Sequence, residues 1–212
     1  METYPDIQSI FNLARQIKGF IDPEEGRALY AAAREVPIGG PGLEVGSYCG
    51  KSALYLGAGC REQGRVLFSV DHHRGSEEHQ PGEEYFDGAL FDRECGRVDT
   101  FPEFRANLAR SGLEQWVVPL VCPSTVAARQ WATPLAFVFI DGGHALETAQ
   151  SDYLAWAPHI LPGGYLLIHD IFPDPAQGGQ APYQIYRSAI SSRQFKPLKM
   201  IKSLGILERR SR

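Results

Sequence analysis

The chain has 212 residues, 43% of them hydrophobic and 22% charged, with a formal net charge of -4 at pH 7. That length suits one sizeable core, so residues 1–212 are expected to form a single domain. Its 21 Lys and Arg residues are scattered, apart from Arg209, Arg210 and Arg212, which argues against a face built for nucleic-acid phosphates.

Taken in order, the chain opens Met-Glu-Thr-Tyr-Pro-Asp, with no basic segment leading into an apolar one, so no secretory signal is visible. Residues 22–25 read Asp-Pro-Glu-Glu: a cap, a proline at the first helical position and an acid in the first turn predict a helix start. From there, short apolar runs at 42–46, 66–70, 117–122, 135–140 and 165–169 alternate with helical patterns. Each run is continuously apolar, as in parallel strands covered on both faces. Pro102-Glu103 opens a helix that Gly112 closes, Ser124 caps a short one, and residues 145–157 make another. Strands alternating with helices predict βαβ units, and hence a doubly wound α/β fold with a mainly parallel sheet and helices on both faces. Residues 72–101 interrupt this rhythm, and a connection of that length is expected to be functional. Residues 197–202 and 204–208 predict two strands joined by a tight turn, an antiparallel C-terminal edge. The longest apolar run, 135–140, is far too short to span a bilayer. Cys49, Cys60, Cys95 and Cys122 form no CxxC pair, so free thiols and a cytoplasmic setting are expected.

In an open α/β sheet, ligands sit beyond the carboxyl ends of the strands. The first strand runs into Glu44-Val45-Gly46-Ser47-Tyr48-Cys49-Gly50-Lys51-Ser52. The two glycines allow a sharp turn and a close approach to a ligand, and the helix beginning at Ser52 offers its N-terminus to an anionic group. Glycines at 46 and 50 do not make the GxGxxG of dinucleotide folds, which disfavours a nicotinamide cofactor. Asp71, ending the second strand, is placed to accept both hydroxyls of a ribose.

Residues 43–52 resemble, nearly residue for residue, the first motif of catechol-type and caffeoyl-coenzyme-A-type O-methyltransferases, and residues 21–26 resemble their lead-in helix. Phe139-Ile140-Asp141-Gly142-Gly143-His144, Leu161-Pro162-Gly163-Gly164 and His169-Asp170 are similar to the wider bacterial group of sugar and macrolide O-methyltransferases. The resemblance runs from about Asp22 to Asp170 and implies a class I S-adenosylmethionine-dependent methyltransferase on a seven-stranded, Rossmann-like sheet. It further implies that Glu44, Gly46 and Ser47 line the cofactor pocket, with Asp141 on its far side. Tyr48 and Ser52 would hold the methionine part, Asp71 the ribose, and Ser124 would lie near the adenine.

Methyl transfer from a sulfonium is an in-line displacement, which requires the acceptor to be held on the methyl–sulfur axis and made electron-rich. A bound cation lowers the pKa of an acceptor hydroxyl, and a neutral imidazole removes its proton. In the similar enzymes a cation is held by an acid after strand four and an Asp-Asn pair after strand five. Asp141, His169 and Asp170 stand at those places, and His144 stands where the family has a lysine base. His144, Asp141 and, from the long loop, His73 are therefore the candidate catalytic groups. Two carboxylates alone suit magnesium or calcium, whereas an added imidazole also admits manganese, iron, cobalt or zinc. Five of the six histidines fall at strand ends or in the long loop, and residues 72–99 are expected to fold over the crevice as a lid. Tyr85, Phe86 and Phe91 would then line an apolar acceptor site. The expected activity is methyl transfer to a hydroxyl of a small molecule, a sugar or a natural product, with a homodimer as a compatible assembly. The alternatives are a metal-independent methyltransferase with nitrogen or another acceptor, and a non-catalytic S-adenosylmethionine-binding protein.

Overall fold

The structure, a computed structural model, describes residues 4–143 and 145–211. Its helices are α1 (Ile7–Ala14), α2 (Pro23–Glu35), α3 (Lys51–Glu62), α4 (Phe101–Ser111), α5 (Ser124–Ala128), α6 (Leu146–Trp156) and α7 (Ala181–Ser191). The strands are β1 (Gly42–Val45), β2 (Leu67–Asp71), β3 (Phe91–Asp92), β4 (Arg97–Val98), β5 (Val117–Val121), β6 (Leu135–Ile140), β7 (Ile160–Ile168), β8 (Phe195–Ile201) and β9 (Leu204–Arg209). Seven of these strands make one sheet in the order β5-β2-β1-β6-β7-β9-β8. The first five are parallel to one another, while β9 runs antiparallel to both its neighbours. The doubly wound α/β architecture is therefore the one anticipated, and strand order reverses between β1 and β6.

The central strand shows why the sheet forms. Every residue of β6 is buried, with Phe137 and Phe139 in one apolar layer and Val138 and Ile140 in the other. Leu29 of α2, Leu54 of α3 and Phe104 of α4 belong to the first layer, Trp156 of α6 and Ile185 of α7 to the second. Fully burying such side chains contributes about 1.5–3 kcal/mol each, which outweighs the local preferences of short strands. Gly42 is required here, because a Cβ would stand 2.1 Å from the Phe137 ring.

The differences from the sequence reading have local causes. Strand β7 begins at Ile160 rather than 165, passing through Pro162 and through Gly163, whose φ of 82° lets the chain bend while pairing continues. The C-terminal hairpin forms the antiparallel edge as expected, with β9 folded back between β7 and β8 and β8 outermost, where Pro197 lies at a register shift. Helix α1, capped by Asp6, and helix α7, with Pro182 in its first turn, carry too weak a signal to have been expected. The insertion is not a bare loop. It holds two single 3₁₀ turns and the β3–β4 hairpin before α4 begins after Thr100. All four cysteines are free. No helix among the described residues is long and apolar enough to cross a membrane.

Candidate active site

The crevice lies at the strand-order reversal, where the C-terminal ends of β1, β2, β6 and β7 converge. Backbone strain concentrates there: Tyr48, His73 and Asp170 follow β1, β2 and β7 with φ of 47°, 57° and 56°. Non-glycine residues hold such angles only when their surroundings over-determine them.

The loop after β1 is shaped by its glycines and held by Asp71. Gly46 has φ 85°, and a Cβ on it would lie 2.1 Å from the Asp141 carbonyl oxygen, so loop and β6 end pack backbone to backbone. The Asp71 carboxylate accepts the amides of Ser47 at 2.9 Å and Tyr48 at 2.8 Å through Oδ2, and that of His73 at 2.7 Å through Oδ1. A carboxylate has about four acceptor positions, so this clamp leaves Asp71 about one to offer a ligand. Asn107 of α4 secures the far side of the loop, donating to the Cys49 carbonyl at 2.9 Å.

Glu44 and Ser52 sit behind this loop. Glu44 is fully buried; it accepts the Ser69 hydroxyl at 2.6 Å and closely accepts that of Ser52. Burial pushes its carboxyl up to about 8 despite those two donors, with the charges of Asp141 and Asp71 adding to the rise. The Ser52 hydroxyl is thus spent on Glu44, and the pair braces β1, β2 and α3 from within. Ser47 differs: its hydroxyl is buried in the loop with no partner among the described residues, a polar atom awaiting one. Ser124 opens α5 and accepts the indole N–H of Trp156 at 2.7 Å.

The insertion places its rings on this loop. His79 stacks on Tyr48 with centroids 4.9 Å apart, and Phe20 meets Tyr85 edge-on at 5.1 Å. Lys18 pairs with Asp87 at 2.5 Å, tying the insertion to the segment before α2. Phe86 and Phe91 contact each other at 5.9 Å, and Tyr85 and Phe86 remain open to solvent. His73 is a different matter. Its ring is 1% exposed, bonded through Nδ1 to Thr100 at 2.8 Å and packed on Phe101 and Phe104 at about 5 Å. Burial lowers its pKa, more strongly than the charges of Asp71 and Asp99 raise it. The ring joins the start of the insertion to α4, and its buried Nε2 has no partner among the described residues. His144 lies outside the described residues.

At the ends of β6 and β7 lies a cluster of four ionisable groups. His169 Nδ1 stands 3.0 Å from Asp141 Oδ1 and 3.4 Å from Asp170 Oδ1, while its Nε2 stands 3.0 Å from Glu25 Oε2. Burial alone would lower the pKa of the ring, but Asp141, Asp170 and Glu25 outweigh it and carry it up to about 12. Ligand atoms of Asp141, His169 and Asp170 all lie within 4.8 Å of one another, close enough to share one ion. A small cavity beside them is lined by Gly142, Gly143, Ile168 and Pro182. Glu25 escaped the sequence reading: its position announces a helix start, and nothing local links it to the end of β7.

A sheet of this order, with a glycine turn after its first strand, an acid after its second and carboxylates facing them, defines the class I S-adenosylmethionine-dependent methyltransferases. A methyltransferase domain family matches residues 43–171, well over half of the chain, and the protein belongs to that family. Among solved structures, the O-methyltransferase NovP is 19% identical, with a TM-score of 0.68 over 91% of this chain and 81% of its own. An O-methyltransferase from Bacillus cereus, solved with S-adenosylhomocysteine, is 15% identical, with a TM-score of 0.63 over 98% and 92% of the two chains. The mycinamycin-pathway methyltransferase MycE, solved with magnesium and S-adenosylhomocysteine, is 17% identical, with a TM-score of 0.56 over 98% of this chain and 55% of its own. At these identities the structures establish a shared fold.

Proposed function

We propose that the protein transfers the methyl group of S-adenosylmethionine to a hydroxyl of a small molecule, a sugar or a natural product, with a divalent cation held by Asp141, His169 and Asp170. The observation that carries this reading is convergence. The glycine loop, Asp71 and the Asp141–His169–Asp170 cluster all open on the one end of the sheet where ligands of open α/β folds bind.

The residues suit the nucleoside. The unpartnered buried hydroxyl of Ser47, the remaining acceptor position of Asp71 and the backbone turn at Gly46 match the polar needs of a ribose and an amino-acid tail. They also suit a cation. Separations of 3.0 and 3.4 Å between the ring nitrogen and two carboxylate oxygens equal those of neighbouring ligands on one ion. Bonds of about 2.1 Å place neighbouring ligand atoms about 3.0 Å apart at right angles and about 3.4 Å apart at the tetrahedral angle. When bound, such an ion supplies Lewis acidity that lowers the pKa of an acceptor hydroxyl. The protein's own part is to exclude water beneath the lid and to orient the acceptor. The exposed rings of Phe20, Tyr85 and Phe86 offer it an apolar surface.

Calorimetry with S-adenosylmethionine and its demethylated product, followed by product formation over a panel of sugar and phenolic acceptors, tests the proposal. Absence of affinity for either nucleoside refutes it. A metal-independent transfer is the competing reading, supported by His169, whose two ring nitrogens both meet carboxylates. Full turnover in excess chelator would establish that reading instead.

A further inference from the structure

We propose that Glu25 is a positioning residue: it fixes the tautomer of His169 so that the Nδ1 lone pair is aimed between Asp141 and Asp170, making the site selective for transition metals over magnesium. The inference rests on the reading that this cluster holds a cation.

Glu25 is 3% exposed and fully engaged. Oε1 accepts the Ser203 amide at 2.9 Å and the Ser203 hydroxyl at 2.8 Å. Oε2 accepts the Asp22 amide at 3.2 Å and faces His169 Nε2 at 3.0 Å. Three separate parts of the chain, the start of α2, the end of β7 and the β8–β9 turn, meet on this one carboxylate, which has no freedom to turn away. An imidazole carries either a proton or a lone pair at each nitrogen, and a carboxylate accepts but does not donate. Glu25 therefore demands N–H at Nε2. Nδ1, the nitrogen that faces Asp141 and Asp170, is then the one whose proton a cation bound between them replaces, and the lone pair it takes is the one at Nδ1. A carboxylate behind a ligating histidine is a recurrent device for fixing ring orientation and raising ligand basicity. One imidazole beside two carboxylates favours manganese, cobalt or zinc, whereas magnesium prefers oxygen ligands throughout.

The test uses the whole protein, with affinity for S-adenosylmethionine as the measure of an intact fold. Manganese binding is followed by electron paramagnetic resonance, with magnesium as competitor. The wild type is expected to bind one manganese ion at least tenfold more tightly than magnesium. Glu25→Gln should weaken manganese binding roughly 10- to 100-fold while leaving the nucleoside affinity unchanged. In zinc-saturated protein, nitrogen NMR should show His169 protonated at Nε2 and metal-coordinated at Nδ1. Should Glu25→Gln fail to bind the nucleoside, Glu25→Asp, whose carboxylate is drawn back from Nε2, takes its place, with the same direction of change expected. Unchanged manganese affinity in the variant overturns the proposal, as does a wild-type ring that stays protonated at both nitrogens in saturating zinc. A wild type that binds the nucleoside but no divalent cation also overturns it, and leaves the methyltransferase reading standing.

Discussion

Replacing Asp71 by Asn tests whether the cofactor loop is built by one carboxylate. In the wild type three amides, those of Ser47, Tyr48 and His73, converge on its two oxygens at 2.7–2.9 Å. Hydrogen bonds to a charged acceptor are worth about 1.5–3 kcal/mol each, and neutral ones about 0.5–1.5 kcal/mol. An Asn side chain keeps one carbonyl oxygen, which serves Ser47 and Tyr48 at neutral strength, and turns its NH₂ donors against the His73 amide. One bond is lost and two are weakened. Because Asp71 is half-buried, water recovers part of the difference. A net cost of about 2–3 kcal/mol follows, or a fall in melting temperature of about 4–12 °C for a domain of this size. Affinity for S-adenosylmethionine should fall as well, because Tyr48 is no longer held in its left-handed conformation. Thermal unfolding and calorimetry on the same preparations measure both effects. A nucleoside lacking the ribose 2′-hydroxyl separates a direct contact from loop shaping: if Asp71 binds the ribose, only the wild type distinguishes the two ligands. A melting temperature within 2 °C of wild type, together with unchanged affinity, refutes the clamp.

Three other outcomes follow from the same geometry. The Glu44 carboxyl is held up to about 8, above its ordinary 4.5, so the folded state keeps a proton that the unfolded chain has lost between those values. The stability this gives is present at acid pH and declines as pH rises through that window. Glu44→Gln, which mimics the protonated acid, should therefore gain on wild type between pH 5 and pH 9 in urea denaturation, and a pH-independent difference refutes the assignment. His73→Ala empties a buried site between Phe101 and Phe104 and should cost about 2–4 kcal/mol of stability. Turnover per folded molecule should stay within about threefold, against the roughly 10²–10⁴-fold loss of a general base. Removing divalent cations should lower turnover by at least about tenfold while nucleoside affinity holds, and readdition of manganese should restore it.

Much of the fold was legible because its signals are local. The unbroken apolar run of β6 announces a strand covered on both faces, and Asp22-Pro23-Glu24-Glu25 announces a helix start that the structure realises as a reciprocal cap between Asp22 and Glu25. What stayed hidden depends on contacts between distant parts of the chain. Nothing near residue 73 says that its histidine will be buried under α4, since Thr100 lies 27 positions on. Nothing near residue 25 says that the acid completing a helix cap will also face an imidazole 144 positions away. The two duties are nonetheless physically linked. The amide of Asp22 that Glu25 caps fixes the direction of its carboxylate, and with it the nitrogen that His169 turns toward Asp141. A helix cap, ordinarily worth about 1 kcal/mol, here orients a site at the opposite end of the chain. A substitution at Asp22 that preserved the helix but shifted its first turn should therefore disturb cation affinity before it disturbed the fold.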